Sequence, residues 1–196
     1  MAAAPDTTRA LRADARQNRE RLLHAAGEVF AAAGSEATLE SVAREAGVGI
    51  GTLYRHFPTR EALIEAVYRD EVGRLCGSAD ELLAELPADA ALERWMARFV
   101  EYAGRKRGLA GALMSIAAAQ TDLFASTREA LVATLARFLA EGREQGTIRG
   151  DVEAEDVLRS MYAIWAIPEG EDFAAQSERV MRLLIDGLRH GAAERR

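Results

Sequence analysis

The 196-residue chain lacks several features that mark secreted and membrane proteins. Its one cysteine, Cys76, cannot form a disulfide within the chain, which is usual for proteins of a reducing cytoplasm. Residues 1–15 carry charges and no apolar segment of signal-peptide length. No apolar run approaches the roughly 18 residues that a transmembrane helix needs. We therefore expect a cytoplasmic protein that has no membrane partner.

The chain also contains little that would interrupt helices. It has only four prolines, and the helix formers alanine, leucine, glutamate and arginine dominate its composition. No stretch of useful length alternates between apolar and polar residues as a half-buried strand does. Apolar residues make up 49% of the chain, which is enough for a substantial core. We predict an all-α fold of about nine helices.

Residue patterns of metal and catalytic sites are missing as well. The histidines His24, His56 and His190 lie far apart and near no cysteine pair, so no metal-ligand spacing is present. Neither G-x-S-x-G, which marks a nucleophile, nor G-x-G-x-x-G, which marks a dinucleotide site, occurs. We expect no metal, no cofactor and no enzyme activity.

The net charge of −6 looks unfavourable for nucleic-acid binding, but the charge is unevenly distributed. Up to Arg60, eight arginines face seven carboxylates, a balance of +1, whereas the remaining residues have a balance of −7. The N-terminal segment holds an arginine-rich arm, formed by Arg9, Arg12, Arg16, Arg19 and Arg21. Salt screens distant charges beyond about 8–10 Å, so this arm can still attract phosphate.

The first third of the chain has a three-helix pattern. Residues 1–11 are small, polar and unpatterned, and we expect a disordered arm there. A helix with apolar residues at helical spacing follows from Arg12 and ends at Gly34. Thr38 is placed to cap a short helix that Gly47 ends, and a further short helix runs to Phe57. Two short helices separated by a glycine turn are typical of a helix-turn-helix, so residues 12–59 are predicted to form a DNA-binding domain.

From residue 60 onward the pattern changes to long helical segments rich in alanine and leucine. Residues 60–196 are predicted to form a second, helical domain. The breaks predict helices at about 60–86, 90–104, 108–119, 124–145, 154–167 and 173–191.

The second short helix carries the candidate DNA contacts. Leu53 and Phe57 are four residues apart and would anchor it, which leaves its other side chains outward. The glycines would let the helix N-terminus approach phosphates, while hydroxyl and basic side chains supply donors to phosphates and base edges. The candidates are Thr38, Gly49, Ile50, Gly51, Thr52, Tyr54, Arg55, His56 and Arg60. Ile50 has two interpretations: it lies three residues before Leu53 and could be core, or it could read a thymine methyl group.

Residues 22–63 resemble the DNA-binding motif of the TetR family. The family pattern A-x-x-A-G-V, then T-L-Y-x-H-F, a basic residue and a leucine, matches Ala43–Val48, Thr52–Phe57, Arg60 and Leu63. The resemblance implies that Tyr54, His56 and Arg60 bind phosphates, with arginine in place of the more usual lysine. Residues from Trp95 to Asp156 are similar to the C-terminal domain of the SbtR-like subgroup, which implies a ligand cavity and a dimer.

The C-terminal region offers candidates for both the ligand cavity and the dimer interface. Trp95, Phe99 and Tyr102 form an aromatic stripe at helical spacing, and more large side chains with few polar ones complete the predicted pocket: Met114, Gln120, Phe124, Met161 and Trp165. Such a lining would suit an unknown apolar or aromatic small molecule, although an ordinary hydrophobic core is the alternative. The last two helices are apolar around more of their circumference than a surface helix needs, which predicts a homodimer interface. Its candidates are Leu158, Tyr162, Val180, Leu184 and Leu188.

Together these features predict a homodimeric transcriptional repressor that binds a palindromic double-stranded DNA operator and leaves it when an effector binds. The alternative is a helical ligand-binding or protein-interaction module without DNA binding, which the acidic balance and Ile50 would favour.

Overall fold

The computed structural model describes residues 7–109, 113, 116, 122–168, 170 and 172–191. Over this part of the chain the fold is all-α, as predicted, with eight α-helices and no strand. None of these helices is both long enough and apolar enough to cross a membrane. The helices are α1 (Thr7–Ala33), α2 (Leu39–Glu45), α3 (Ile50–His56), α4 (Arg60–Glu85), α5 (Ala88–Gly108), α6 (Asp122–Gln145), α7 (Ala154–Met161) and α8 (Phe173–Arg189).

The first helix differs from the expectation at its start. It begins at Thr7, whereas a disordered arm was expected for residues 1–11. Residues 7–11 consist of threonine, arginine, alanine and leucine, and extending an existing helix costs far less than nucleating one. The rest of the predicted arm, residues 1–6, lies outside the described residues.

The ends of two further helices differ clearly from the predicted positions. The predicted helix 90–104 runs from Ala88 to Gly108, because Gly104 does not interrupt it. The predicted helix 154–167 ends as an α-helix at Met161 and continues as a 3₁₀ segment, Tyr162–Ala166. Of the predicted helix 108–119, only residues 108, 109, 113 and 116 lie within the described part of the chain.

The described residues form two units. The first comprises the residues up to Asp70 and those described in the segment 107–119. In it α1 packs on α2 and α2 packs on α3. Its core consists of buried apolar side chains of these helices and the start of α4, among them Leu22, Phe30, Val42, Leu53, Phe57 and Leu63.

The second unit comprises the described residues of 71–106 and 120–196. Its centre is Trp95, which is completely buried and whose ring lies 6.1 Å from that of Phe99 and 5.8 Å from that of Phe138. The Trp95 indole N–H donates a 2.8 Å hydrogen bond to the Leu75 carbonyl and so joins α5 to α4. A buried aromatic ring with its polar atom satisfied stabilises a helix pair strongly.

Ion pairs connect the other helices of this unit. Arg189 of α8 donates to Asp89 at 2.7 Å and to Glu93 at 2.8 Å on α5. Arg128 of α6 donates to both carboxylate oxygens of Glu155 on α7, at 3.2 Å each. This hydrogen bonding lowers the pKa of Glu155, so the pair stays charged at neutral pH.

Gly142 on α6 is required by the neighbouring turn. A Cβ atom there would lie 2.8 Å from Cβ and 2.5 Å from Cδ1 of Ile148, which is itself buried. We expect Gly142→Ala to lower the free energy of unfolding by about 1–3 kcal/mol, because the Ile148 side chain must be displaced from a packed site. Urea denaturation measures this. Gly77→Ala on α4, where an added Cβ meets nothing within 4 Å, is the matched control and should not destabilise.

Candidate nucleic-acid interface

The helix-turn-helix begins with a reciprocal cap. The Ser41 backbone N–H donates to Thr38 Oγ1 at 3.1 Å, and the Thr38 backbone N–H donates to Ser41 Oγ at 3.2 Å. These bonds satisfy the first backbone groups of α2 and set where the helix starts. Thr38, a candidate DNA residue, is exposed and holds this cap.

The turn between α2 and α3 depends on Gly47. Its φ of +66° lies in the left-handed region, and the Val48 N–H donates to the Ala43 carbonyl at 3.0 Å to close the turn. Residues with a Cβ pay roughly 1–2 kcal/mol in this conformation, which explains the glycine.

The next helix, α3, has one buried and one open side. Leu53 is buried within the helix, and Phe57, which caps its C-terminus, is buried beside it. Thr52 and His56 are half-buried, and Arg55 is exposed. Tyr54 is 46% exposed and Ile50 38% exposed. Ile50 therefore lies at the surface of the first unit, which removes the core alternative for this residue.

Gly49 and Gly51 leave open space on the outer side of the helix start. A Cβ at either position would meet no atom within 4 Å, and neither glycine has a left-handed φ. The fold of the chain therefore does not require glycine here. The missing side chains leave the backbone here open to close approach by a partner.

Whether glycine at position 51 serves DNA binding and not stability can be tested by substitution. We expect Gly51→Ala to stabilise the protein by up to about 0.5–1 kcal/mol, because alanine has a higher helix propensity than glycine and loses less backbone entropy on folding. Operator affinity should fall at least about tenfold, because the methyl group holds the backbone N–H groups away from phosphate. Thermal unfolding and fluorescence anisotropy measure the two effects. Gly73→Ala on α4 is the control; equal operator affinity of both variants would contradict the close approach.

The two arginines among the candidates have contacts within the chain. Arg55 donates from Nε to the Gly51 carbonyl at 3.3 Å and from Nη2 to Thr52 Oγ1 at 3.1 Å, so it lies along its own helix. Arg60 donates to the Ala37 carbonyl, and its guanidinium lies 5.2 Å from the centre of the Phe30 ring. Arg60 thus holds the start of α4 to the segment before α2.

Arg19 is a neighbour of this surface that the candidate set did not include. Its exposed guanidinium lies 5.4 Å from the centre of the Phe57 ring, at the C-terminal end of α3. The arginine-rich composition of α1 was the available signal. Its contact with Phe57 depends on how α1 packs against the two short helices, which spacing along the sequence does not specify.

The predicted pocket residues divide into two groups. Trp95, Phe99 and Met161 are completely buried, and Tyr102 is nearly so. The rings of Phe99 and Tyr102 lie 5.7 Å apart. These four residues form part of the packed centre of the second unit, the arrangement of an ordinary core.

Phe124 and Trp165 are half-buried and lie around a cation. The Lys106 ammonium is 5.3 Å from the Phe124 ring centre, 5.1 Å from that of Trp165 and 5.9 Å from that of Tyr102. Three aromatic rings around the Lys106 ammonium stabilise the charge at this position by cation–π attraction. The remaining predicted pocket residues, Met114 and Gln120, lie outside the residues whose side chains are described.

The candidate dimer residues lie at different depths. Leu158 and Leu188 are buried within the chain itself, whereas Tyr162, Val180 and Leu184 are half-buried. Leu183, which was not a candidate, is 76% exposed on α8. The apolar periodicity identified this helix, but not which of its leucines stays uncovered.

The cysteine lies in the second unit, on α4. Cys76 is half-buried, and burial raises the pKa of its thiol, while a hydrogen bond with Thr134 offsets part of this shift. A raised pKa keeps the thiol protonated and unreactive at neutral pH. Cys76 therefore has the properties of a structural thiol.

Comparison with known proteins agrees with the helix-turn-helix geometry. Residues 22–67 match the model of the bacterial regulatory proteins of the tetR family. Residues 87–190 match that of the SbtR-like transcriptional regulator C-terminal domain. The chain belongs to the TetR family. It is thus a DNA-binding transcriptional regulator.

Solved structures of TetR-family regulators share its fold over most of their length. The TetR transcriptional regulator SCO0520 of Streptomyces coelicolor is 46% identical, with a TM-score of 0.80, over 87% of this chain and 98% of that one. A TetR regulatory protein of Mycobacterium vanbaalenii is 40% identical, with a TM-score of 0.72, over 91% and 99%. By sequence alone, the chain is also similar to the HTH-type transcriptional regulator UidR of Escherichia coli K12, with 23% identity over 91% of this chain and 96% of UidR.

Proposed function

We propose that this TetR-family protein is a homodimeric repressor that binds a palindromic operator in the cytoplasm and is released by a small-molecule effector. The observation that carries the proposal is the open side of α3, where Ile50 and Tyr54, four residues apart, are exposed while Leu53 is buried. Residues 12–59 would bind DNA, and residues 60–196 would hold the effector and the partner subunit.

On the open side of α3, the side chains suit different parts of the operator. The Tyr54 hydroxyl and the His56 ring supply donors to phosphate oxygens. Thr52 and Ile50 suit a thymine methyl group, and Arg55 suits guanine once it leaves its own helix. Arg60 supports this surface by holding α4 in place and adds positive charge near the phosphates.

Operator binding is tested most directly on the DNA upstream of the protein's own gene. We expect Thr52→Ala and Tyr54→Phe each to weaken binding in a gel-shift assay by about tenfold, the effect of one lost hydrogen bond or base contact. A random duplex of equal length is the control and should bind weakly to all forms. Unchanged operator affinity in both variants would mean that α3 does not read the DNA.

Salt dependence separates this function from a helical module without DNA binding. Each phosphate that a protein neutralises lowers the slope of log K against log salt by about 0.9. We therefore expect operator affinity to fall by at least about tenfold between 50 and 200 mM salt. Weak binding with no salt dependence would favour the ligand-binding or protein-interaction alternative.

Release requires that the effector bind the DNA-free state more tightly than the bound state. Equal affinity for the two states would shift nothing, however tight the binding. Helix α4 is the element on which the effector would act, because it starts at Arg60 beside the helix-turn-helix and continues past Glu71 into the second unit.

A further inference from the structure

A charged cleft lies in the second unit between α4 and α5, beside the aromatic core, from which Tyr102 contributes to its lining. It has a volume of about 280 Å³. Each helix contributes residues at the i, i+3, i+4 and i+7 positions of one face, among them Glu71 and Arg74 of α4 and Arg98, Glu101 and Arg105 of α5. Three arginines against two glutamates give this lining a charge of +1, in a chain whose residues beyond Arg60 have a balance of −7.

The glutamate at the floor of the cleft already has its counter-ion. Only 4% of the Glu71 side chain is exposed, and Arg105 Nε donates to Glu71 Oε1 at 2.9 Å. A buried carboxylate needs such a partner, because removing it from water without one costs several kcal/mol. The pair ties α5 to the point where α4 enters the second unit.

Arg98 differs from the other two arginines of the cleft. It is half-buried, yet it makes no hydrogen bond or ion pair with any residue that the structure describes. Glu101, one turn along α5, is exposed and forms no ion pair with Arg98 in the described part of the chain. A planar guanidinium that faces a cleft without a partner has the geometry for bidentate binding of a carboxylate or phosphate group.

We propose that this cleft binds a small anion carrying a carboxylate or phosphate group, with Arg98 as its principal ligand. Arg74 and Arg105 add to the positive potential around it. As a statement about the effector, this inference rests on the proposed function, and it differs from the apolar or aromatic effector that the sequence suggested. The reason is packing: Trp95, Phe99 and Met161 are completely buried, whereas the arginine-lined cleft is open.

The bound anion would act through Glu71. It competes for Arg105, and a carboxylate that loses its counter-ion at 4% exposure becomes more costly to keep buried. Moving α4 to expose Glu71 relieves this cost. Because α4 is one continuous helix from Arg60 to Glu85, the change reaches its first turn.

Anion binding is measured first, on the full-length protein without DNA. Thermal unfolding is followed with inorganic phosphate, pyrophosphate and succinate, each against sodium chloride at equal ionic strength, so that phosphate and carboxylate are distinguished. We expect a saturable rise in Tm with at least one probe. Arg98→Ala should lower the affinity for that probe by roughly ten- to a hundredfold. Arg98→Lys, which keeps the charge but loses the bidentate guanidinium geometry, should lower it by less.

Arg94→Ala is the matched control, because it removes the same charge from an exposed position of α5 outside the cleft. It should bind the probe as the unaltered protein does. Stabilisation no greater than that by chloride, or an equal loss in the Arg94 and Arg98 variants, overturns the site.

The effector role is measured separately, as operator affinity with and without the probe that binds. A fall of at least about fivefold, the lower end of typical allosteric coupling, is expected in the unaltered protein and in Arg94→Ala. Operator affinity that stays constant at saturating probe overturns the effector role. If the operator is bound and no probe binds, this inference fails alone; if a probe binds through Arg98 and no operator is bound, the proposed function fails alone.

Discussion

Replacing Leu183 with aspartate is expected to convert the proposed homodimer into a monomer and to lower operator affinity by roughly a hundredfold or more. Leu183 is 76% exposed on α8, so within one chain it contributes little to the core. In the proposed symmetric dimer, α8 of each subunit contributes to the interface, so the substitution would bring two carboxylates into an apolar interface, which is strongly unfavourable. A monomer binds only one half-site of the operator and loses the gain in affinity that comes from binding both half-sites at once.

Sedimentation velocity measures the subunit state, and fluorescence anisotropy on the same samples measures operator affinity. Leu183→Met, which keeps the position apolar, is the control and should remain dimeric with unchanged operator affinity. Circular dichroism should show equal helix content in both variants, because the leucine is largely uncovered. A dimeric Leu183→Asp variant with full operator affinity would place the subunit interface elsewhere.

Trp95→Ala is expected to lower the free energy of unfolding by about 3–5 kcal/mol, the usual cost of truncating a buried tryptophan. The ring is completely buried between Phe99 and Phe138, and its N–H holds the Leu75 carbonyl. Alanine would leave a cavity and remove one of the hydrogen bonds to the Leu75 carbonyl, which still accepts from the Ser78 hydroxyl at 2.7 Å. Trp95→Phe should cost less, because the cavity is smaller, although the hydrogen bond from the indole N–H to the Leu75 carbonyl is still lost.

Urea denaturation followed by circular dichroism gives these values. Trp165→Ala is the control, because this tryptophan is only half-buried and one of its contacts is with the Lys106 ammonium. That contact is worth about 0.5–2 kcal/mol. If Trp95→Ala costs no more than Trp165→Ala, Trp95 lines a cavity with room to spare, as the predicted apolar pocket requires.

Local chemistry made much of the helix-turn-helix predictable. Thr38 caps α2 through the residue three positions on, Gly47 alone accepts the left-handed turn, and Leu53 and Phe57 repeat at the spacing of one helix face. Each of these signals acts within about five residues, so the sequence carries it without reference to the rest of the fold. The all-α class followed in the same way from composition and helical periodicity.

Packing between distant segments decided the rest. Ile50 could have been core or surface, and only the way α3 lies on α2 exposes it. Arg60 contacts Ala37, and Trp95 bonds to Leu75, over separations of 23 and 20 residues. The helical spacing of apolar residues is the same for an aromatic ring in a core and for one in a ligand cavity. It shows which face of a helix is covered, but not whether protein or ligand covers that face. For that reason the TetR motif was readable in the sequence, whereas the arginine cleft and the exposed Leu183 emerged only from the tertiary structure.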